Sequence, residues 1–220
     1  MTQIDIERAR FNMIEQQVRT WDVLDQRILD LIRDTPREKF VPPAYKNLAF
    51  SDLMLPLPHG QVMMEPKVEA RILQAVDLTA SERALEIGTG TGYLAACLAK
   101  MGRHVTTVDI FPEFREMAEK NLGQQRIGNV TFEVGDAAAG WDDGWRYDAI
   151  VITGSLPQLH EGFHHSLTVG GRLFVVVGEP PVMEALLITR YGESQWATES
   201  LFETQIPALV NAPRQPKFAL

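Results

Sequence analysis

The stretch Arg83-Ala84-Leu85-Glu86-Ile87-Gly88-Thr89-Gly90-Thr91-Gly92-Tyr93-Leu94 decides the fold. Ala84 to Ile87 reads as a short strand, three glycines follow at alternate positions, and Tyr93 to Lys100 returns to a helical apolar pattern. A strand, a glycine turn and a helix in succession point the amides that open the helix at whatever lies above the strand's carboxyl end. Glycines there permit backbone angles that a Cβ forbids, and they let a ligand approach the main chain closely. A dinucleotide turn wants glycines at its first, third and sixth positions, and the sixth position here is Tyr93. The nicotinamide reading weakens accordingly. Glu86, just before the turn, adds a carboxylate that repels a pyrophosphate and attracts an ammonium group.

Outward from this stretch the pattern alternates. Strands are expected at 104–109, 129–134, 148–152 and 171–177, with helices at 92–101, 112–122 and 158–168 between them. Such alternation implies an α/β protein with a doubly wound, mostly parallel sheet covered on both faces. Beyond Pro181, Ala185–Arg190 and Trp196–Thr204 flank the turn at Tyr191–Ser194, so an antiparallel hairpin adds to one sheet edge. The tail from Ile206 to Leu220 is interrupted by proline and reads as irregular.

Upstream, Arg8–Arg19 reads as a helix with Phe11, Ile14 and Val18 on one stripe, and Leu24–Arg33 as a second with Leu24, Ile28, Leu31 and Ile32. From Thr35 to Pro66, prolines at 36, 42, 43, 56, 58 and 66 exclude a long helix or a central strand, while Phe40, Tyr45 and Phe50 argue against disorder. A third helix starts at Pro66 and runs to Asp77. The organisation expected is residues 1–66 as N-terminal helices and a substrate-side loop, and 67–220 as a ligand-binding core, in one structural unit.

Of the 220 residues 45% are apolar and the net charge is −8. A sizeable core can form, and an acidic surface argues against nonspecific nucleic-acid or anionic-membrane binding. No apolar run approaches the roughly 18 residues of a membrane span, and the N-terminal segment is too charged for a signal peptide. A cytoplasmic protein with neither nucleic acid nor membrane as partner is expected. Cys97 is the single cysteine, which excludes intrachain disulfides and a cysteine-rich zinc site, and no metal site is read. Its apolar neighbours mark it as a buried structural thiol.

Asp109 ends the second core strand beside the glycine turn, where a carboxylate can accept both ribose hydroxyls; a cap on the helix at Pro112 is the lesser alternative. Gly135-Asp136-Ala137 follows the third strand in the same way, with Asp136 placed either to receive an adenine amine or simply in a turn. Thr153, Gly154 and Ser155 end the fourth strand with small side chains that leave room for a substrate.

Leu85 to Tyr93 is similar to the first motif of S-adenosylmethionine-dependent methyltransferases, and Asp109 and Gly135-Asp136 resemble the second and third. Met13-Ile14-Glu15-Gln16-Gln17-Val18-Arg19, Pro36-Arg37-Glu38-Lys39-Phe40-Val41-Pro42 and Leu57-Pro58-His59-Gly60-Gln61 resemble the protein-L-isoaspartate O-methyltransferase family, from about Arg8 to at least Arg190. The resemblance implies a Rossmann-like class I methyltransferase fold and methyl transfer from S-adenosyl-L-methionine to isoaspartyl carboxylates of damaged proteins or peptides. It places Glu86 at the methionine end of the cofactor, Gly88, Thr89, Gly90, Gly92 and Tyr93 around it, Asp109 and Ile110 at the ribose, Asp136 and Ala137 at the adenine, and Thr153 alongside. His59, Val62 and Met64 are implied on the acceptor side, although His59 can also be a polar core residue. Family members with repair activity continue His-Gly-Gln with Thr-Ile-Ser-Gln-Pro, whereas this chain has Val62-Met63-Met64-Glu65-Pro66. Two readings of that change stand. Either the acceptor site has altered chemistry, or the methionines fill core space while another group binds the acceptor and Glu65 caps the helix at Pro66. A different acceptor on the same fold, or a noncatalytic S-adenosylmethionine-binding homologue, remains the alternative function.

Overall fold

The computed structural model describes residues 3–214. Helix α1 (Gln3–Met13) continues through a π turn at Ile14–Val18 and a 3-10 turn at Arg19–Trp21, and stops where Asp22 turns left-handed. The apolar stripe expected for it is corrected at Phe11, which is 62% exposed, while Met13, Ile14 and Val18 are buried. Polar residues with internal partners blur the pattern: Arg10 pairs with Glu38 at 2.7 Å, and Gln17 Nε2 donates to Phe50 O at 3.0 Å. Helix α2 (Gln26–Asp34) begins after the expected Leu24, because Asp25 caps it by accepting from Arg27 N at 2.8 Å. Leu24 is left 70% exposed.

The proline-rich segment forms short 3-10 turns and a two-residue antiparallel hairpin, β1 (Leu55–Pro56) with β2 (Val62–Met63). Helix α3 (Pro66–Val76) starts on a proline, which has no amide hydrogen to leave unsatisfied, and ends at a left-handed Asp77. Then come β3 (Arg83–Ile87), α4 (Tyr93–Met101), β4 (His104–Asp109), α5 (Pro112–Gln124), β5 (Val130–Val134), β6 (Tyr147–Leu156), β7 (Leu167–Glu179), β8 (Val182–Gly192) and β9 (Gln195–Glu203). The seven-stranded sheet has the order β5-β4-β3-β6-β7-β8-β9. Strands β5 through β7 in that order run parallel, and β8 and β9 add antiparallel at the edge.

Side chains alternate across the sheet. Ala84, Val105, Val151 and Phe174 join the larger core with the helices, whereas Leu85, Ile150, Leu173 and Val175 face a smaller core on the other side. The helix expected at 158–168 on that side is corrected to a 3-10 turn at Glu161–Ser166. Strand β6 runs on to Leu156 and β7 already begins at Leu167, which leaves too little chain for a helix. Gly162 also lies against the Ala139 backbone where no Cβ fits, and His160 Nε2 bonds Ala138 O at 3.0 Å, so the turn is pinned locally. The tail through Arg214 has only an isolated bridge, Ser155 with Ala208; residues 215–220 of the expected irregular tail lie outside the described residues. Among the described residues, no helix is long and apolar enough to cross a membrane.

Candidate functional site

The glycine turn sits at the carboxyl end of β3, between β4 and β6. Gly88 adopts φ 100°, and Thr153 Oγ1 occupies the space its Cβ would need. From there Thr153 reaches the carbonyl oxygens of Ile87 and Gly88, each at 2.9 Å, and fastens β6 to the turn. Gly92 adopts φ 80° and lets α5 approach: a Cβ there would meet Ala118 Cβ at 2.8 Å. Thus the first glycine shapes the site and the third packs the helix behind it. Cys97 is fully buried in α4, where desolvation pushes its thiol to about 12 and removes it from nucleophilic chemistry.

Asp109 is only 8% exposed. Its Oδ2 accepts from Gly90 N at 3.1 Å and its Oδ1 from Phe111 N at 3.0 Å, so the carboxylate is held against the turn. Burial raises its pKa, and these amide bonds oppose the rise. A crevice of about 650 Å³, counted with its open mouth, lies above these strand ends. Gly88, Gly90, Asp109, Ile110, Asp136, Ala137 and Thr153 border it, as do Phe111 and Phe114. Asp136 Oδ1 accepts from Ala138 N at 3.1 Å, and its Oδ2 from Asn211 Nδ2 at 2.8 Å.

Beside the crevice lies a smaller recess of about 320 Å³, reached past Leu57, Val62, Gly88 and Thr153, which border both spaces. Met64, Glu69, Glu86, Thr89 and Tyr93 are among the residues that line it. Glu86 points to the helix-bearing face of the sheet, where Thr107 Oγ1 donates to its Oε2 at 2.6 Å and pairs with Thr89 Oγ1 at 2.7 Å. Desolvation pushes Glu86 up to about 8. Next to it, Arg37 and Glu69 form a fully buried ion pair. Arg37 Nη2 also donates to Met64 O at 2.6 Å and Nε to Ala49 O at 3.0 Å, while the guanidinium lies 5.0 Å from the Tyr93 ring centre. Burial raises the Glu69 carboxyl to about 7 against the opposing pull of Arg37.

The structure thus brings Glu86, Gly88, Thr89, Gly90, Tyr93, Asp109, Ile110, Asp136, Ala137, Thr153, Val62 and Met64 to the border of one space or the other, with Gly92 behind them. His59 borders neither; it is exposed at the hairpin tip, with its ring on Phe111 outside the crevice. Glu65 occupies the N-cap of α3, but its side chain makes no capping bond and its buried Oε2 has no hydrogen-bond partner among the described residues. Sequence reasoning missed Phe111 and Phe114 at the crevice, although an aromatic after a strand-end acid is a visible signal. It also missed Pro207, Leu209 and Val210, which come from the tail and carry no local motif.

The donor set fits a nucleoside that carries an amino acid and no phosphate. Among the described residues, no lysine or arginine side chain borders the crevice or the recess, and four carboxyls do: Glu69, Glu86, Asp109 and Asp136. S-adenosylmethionine has that composition, with a positively charged sulfur, an ammonium, a ribose and an adenine.

Residues 8–209 match the family of protein-L-isoaspartate(D-aspartate) O-methyltransferases. The chain is 36% identical over 202 residues to protein-L-isoaspartate O-methyltransferase 1 of Rhodopseudomonas palustris, covering 91% of this chain and 82% of that one. It is 39% identical over 166 residues to the protein-L-isoaspartate O-methyltransferase of Gloeobacter violaceus, covering 76% and 81%. The fold is similar to that of a Plasmodium falciparum protein named for the same activity and solved with S-adenosyl-L-homocysteine: the TM-score is 0.77 at 18% identity, over 91% of this chain and 98% of that one. By sequence, the chain belongs to the protein-L-isoaspartate(D-aspartate) O-methyltransferase family.

Proposed function

We propose that this protein, acting in the cytoplasm, transfers the methyl group of S-adenosylmethionine to the carboxylate of isoaspartyl residues in proteins or peptides. The observation that carries the reading is the family match over residues 8–209, and the cation-free, carboxylate-lined crevice agrees with it. When bound, the cofactor supplies an electrophilic methyl on a sulfonium. Glu86 holds the ammonium, Asp109 the ribose hydroxyls and Asp136 the adenine amine, with Ile110, Ala137 and Thr153 packed against them. Gly88 and Gly90 let the main chain come close, and Thr89 and Tyr93 close the methionine end. An acceptor carboxylate is already ionised at neutral pH, so the residues need only position it and exclude water. No general base is required. Methyl transfer to an isoaspartyl peptide, measured against the aspartyl peptide, tests this; turnover no higher than the blank in a protein that binds S-adenosylhomocysteine excludes it.

A second reading, the same transfer to a different acceptor, is favoured by the recess itself. Val62 and Met64 line it with apolar groups that offer an acceptor carboxylate no hydrogen-bond donor. A protein that binds the cofactor and leaves the isoaspartyl peptide unmodified supports this reading over the first.

A further inference from the structure

Residues 205–214 run back across the end of β6. Ser155 N donates to Pro207 O at 2.9 Å, Leu209 N donates to Ser155 O at 2.9 Å, and Ser155 Oγ donates to Ile206 O at 3.2 Å. A Cβ on Gly154 would fall 2.7 Å from Leu209 Cδ2, so the strap is pressed onto the strand. Pro207, Leu209 and Val210 consequently form part of the crevice wall. From that wall Asn211, left-handed at φ 64°, sends its amide to Asp136 Oδ2 at 2.8 Å. The other oxygen accepts from Ala138 N at 3.1 Å. An exposed aspartate normally samples several rotamers. Asp136 is gripped from two sides by groups more than 70 residues apart, the Asn211 bond spanning 75 positions.

We propose that Asn211 is a positioning residue for base recognition: it fixes the Asp136 carboxylate so that its remaining lone pairs accept an exocyclic amine and reject a purine with a carbonyl at that position. The inference rests on the reading that Asp136 meets the adenine. An ionised carboxylate only accepts hydrogen bonds. Opposite the amine of adenine that is complementary, and opposite the carbonyl of hypoxanthine two acceptors face each other. A carboxylate free to swing escapes the conflict, whereas one held by Asn211 does not. Discrimination therefore depends on the grip as well as on the charge.

The test compares binding of S-adenosylhomocysteine and S-inosylhomocysteine by calorimetry. Asn211→Gly removes the amide while suiting the left-handed backbone, and Asn211→Asp keeps the shape while replacing the donor with a like charge. The preference for the adenine ligand should fall by about fivefold or more in both, with little change in the melting temperature of the ligand-free protein. If both ligands weaken by the same factor, the ratio stays constant and Asn211 is merely structural, which overturns the proposal. Asp136→Asn separates the two levels. Loss of discrimination in Asp136→Asn but not in the Asn211 variants overturns the role of Asn211 alone. An unchanged ratio in Asp136→Asn overturns the adenine assignment beneath it.

Discussion

The imidazole of His59 lies flat on the ring of Phe111, with centroids 4.0 Å apart and an interplanar angle of 4°. Phe114 meets the same imidazole edge-on at 5.9 Å, and Glu113 Oε1 lies 3.6 Å from its Nε2. Phe111 borders the crevice from the core side, and Leu57, Gln61 and Val62, on the hairpin that carries His59, border it from the other. The stack therefore bridges the hairpin to the segment between β4 and α5 at the crevice border. An aromatic contact of this kind contributes about 0.5–1.5 kcal/mol beyond its buried area. His59→Ala should accordingly speed S-adenosylhomocysteine release by roughly two- to tenfold, read by stopped-flow displacement. A dissociation rate equal to that of the wild type would show that the bridge holds nothing in.

Glu86 predicts a pH dependence with opposite signs for the free and the bound protein. Its carboxyl stands at about 8 in the fold, against about 4.3 in an unfolded chain. Between those values the folded state holds a proton that the unfolded chain has lost, so this contribution to stability is full below about 4.3 and is lost as pH rises through about 8. An ammonium needs the ionised form, so cofactor binding releases the proton and tightens as pH climbs toward 8, by up to about tenfold per unit. Glu86→Gln should flatten the stability slope, melt above the wild type at pH 8 without ligand, and bind S-adenosylhomocysteine more weakly. A binding constant that is flat from pH 6 to pH 8, with no proton release in calorimetry, would remove Glu86 from the ammonium.

The buried pair of Arg37 and Glu69 is expected to be costly to break from either side. Arg37→Ala strands a buried carboxyl and leaves Met64 O and Ala49 O without their donor. Loss of one partner of a buried pair destabilises by about 3–5 kcal/mol. Urea denaturation should show a loss of that size, and Glu69→Gln, which keeps a hydrogen-bonding group of similar shape, should lose less. Equal stability in Arg37→Ala would mean that water reaches the site.

Val62 and Met64, on the wall of the recess, test the proposed acceptor side. Val62→Thr with Met64→Ser introduces two hydroxyls at the recess, each able to donate to a carboxylate, and hydrogen bonds to a charged group contribute about 1.5–3 kcal/mol. The double variant should raise kcat/KM for an isoaspartyl peptide by at least about tenfold while S-adenosylhomocysteine affinity stays within twofold, about 0.4 kcal/mol. No gain in a folded, cofactor-binding variant would place acceptor recognition elsewhere on the surface.

The parts of the site that could be read in advance are those encoded within a few residues. A strand, the glycines from Gly88 to Gly92 and the helix from Tyr93 are contiguous, and Asp109 and Asp136 each end a strand whose neighbour relations follow from alternation. The strap was illegible because Pro207 and Leu209 reach the crevice by main-chain bonds to Ser155, which leave no mark on residue type. Phe11 is exposed for a related reason, since the half-buried Arg10 and Gln17 took inward positions once Glu38 and the Phe50 carbonyl had satisfied them, and Leu24 is exposed because the Asp25 cap starts α2 after it. His59 lies at the exposed tip of the hairpin and lines neither the crevice nor the recess. Its left-handed φ of 57° turns the side chain at a tip where residue type alone does not set the path.

The grip of Arg37 on the Met64 carbonyl has a consequence for substitutions. The segment that carries Val62 and Met64 is anchored through its main chain, by a donor that makes no demand on the identity of residue 64. The course of the loop at residue 64 is therefore held by the main chain, while the buried Met63 and Met64 side chains pack into the core beside it. A change at residue 62 or 64 then alters the wall of the recess at one end while the glycine turn and the crevice beyond it are left as they are.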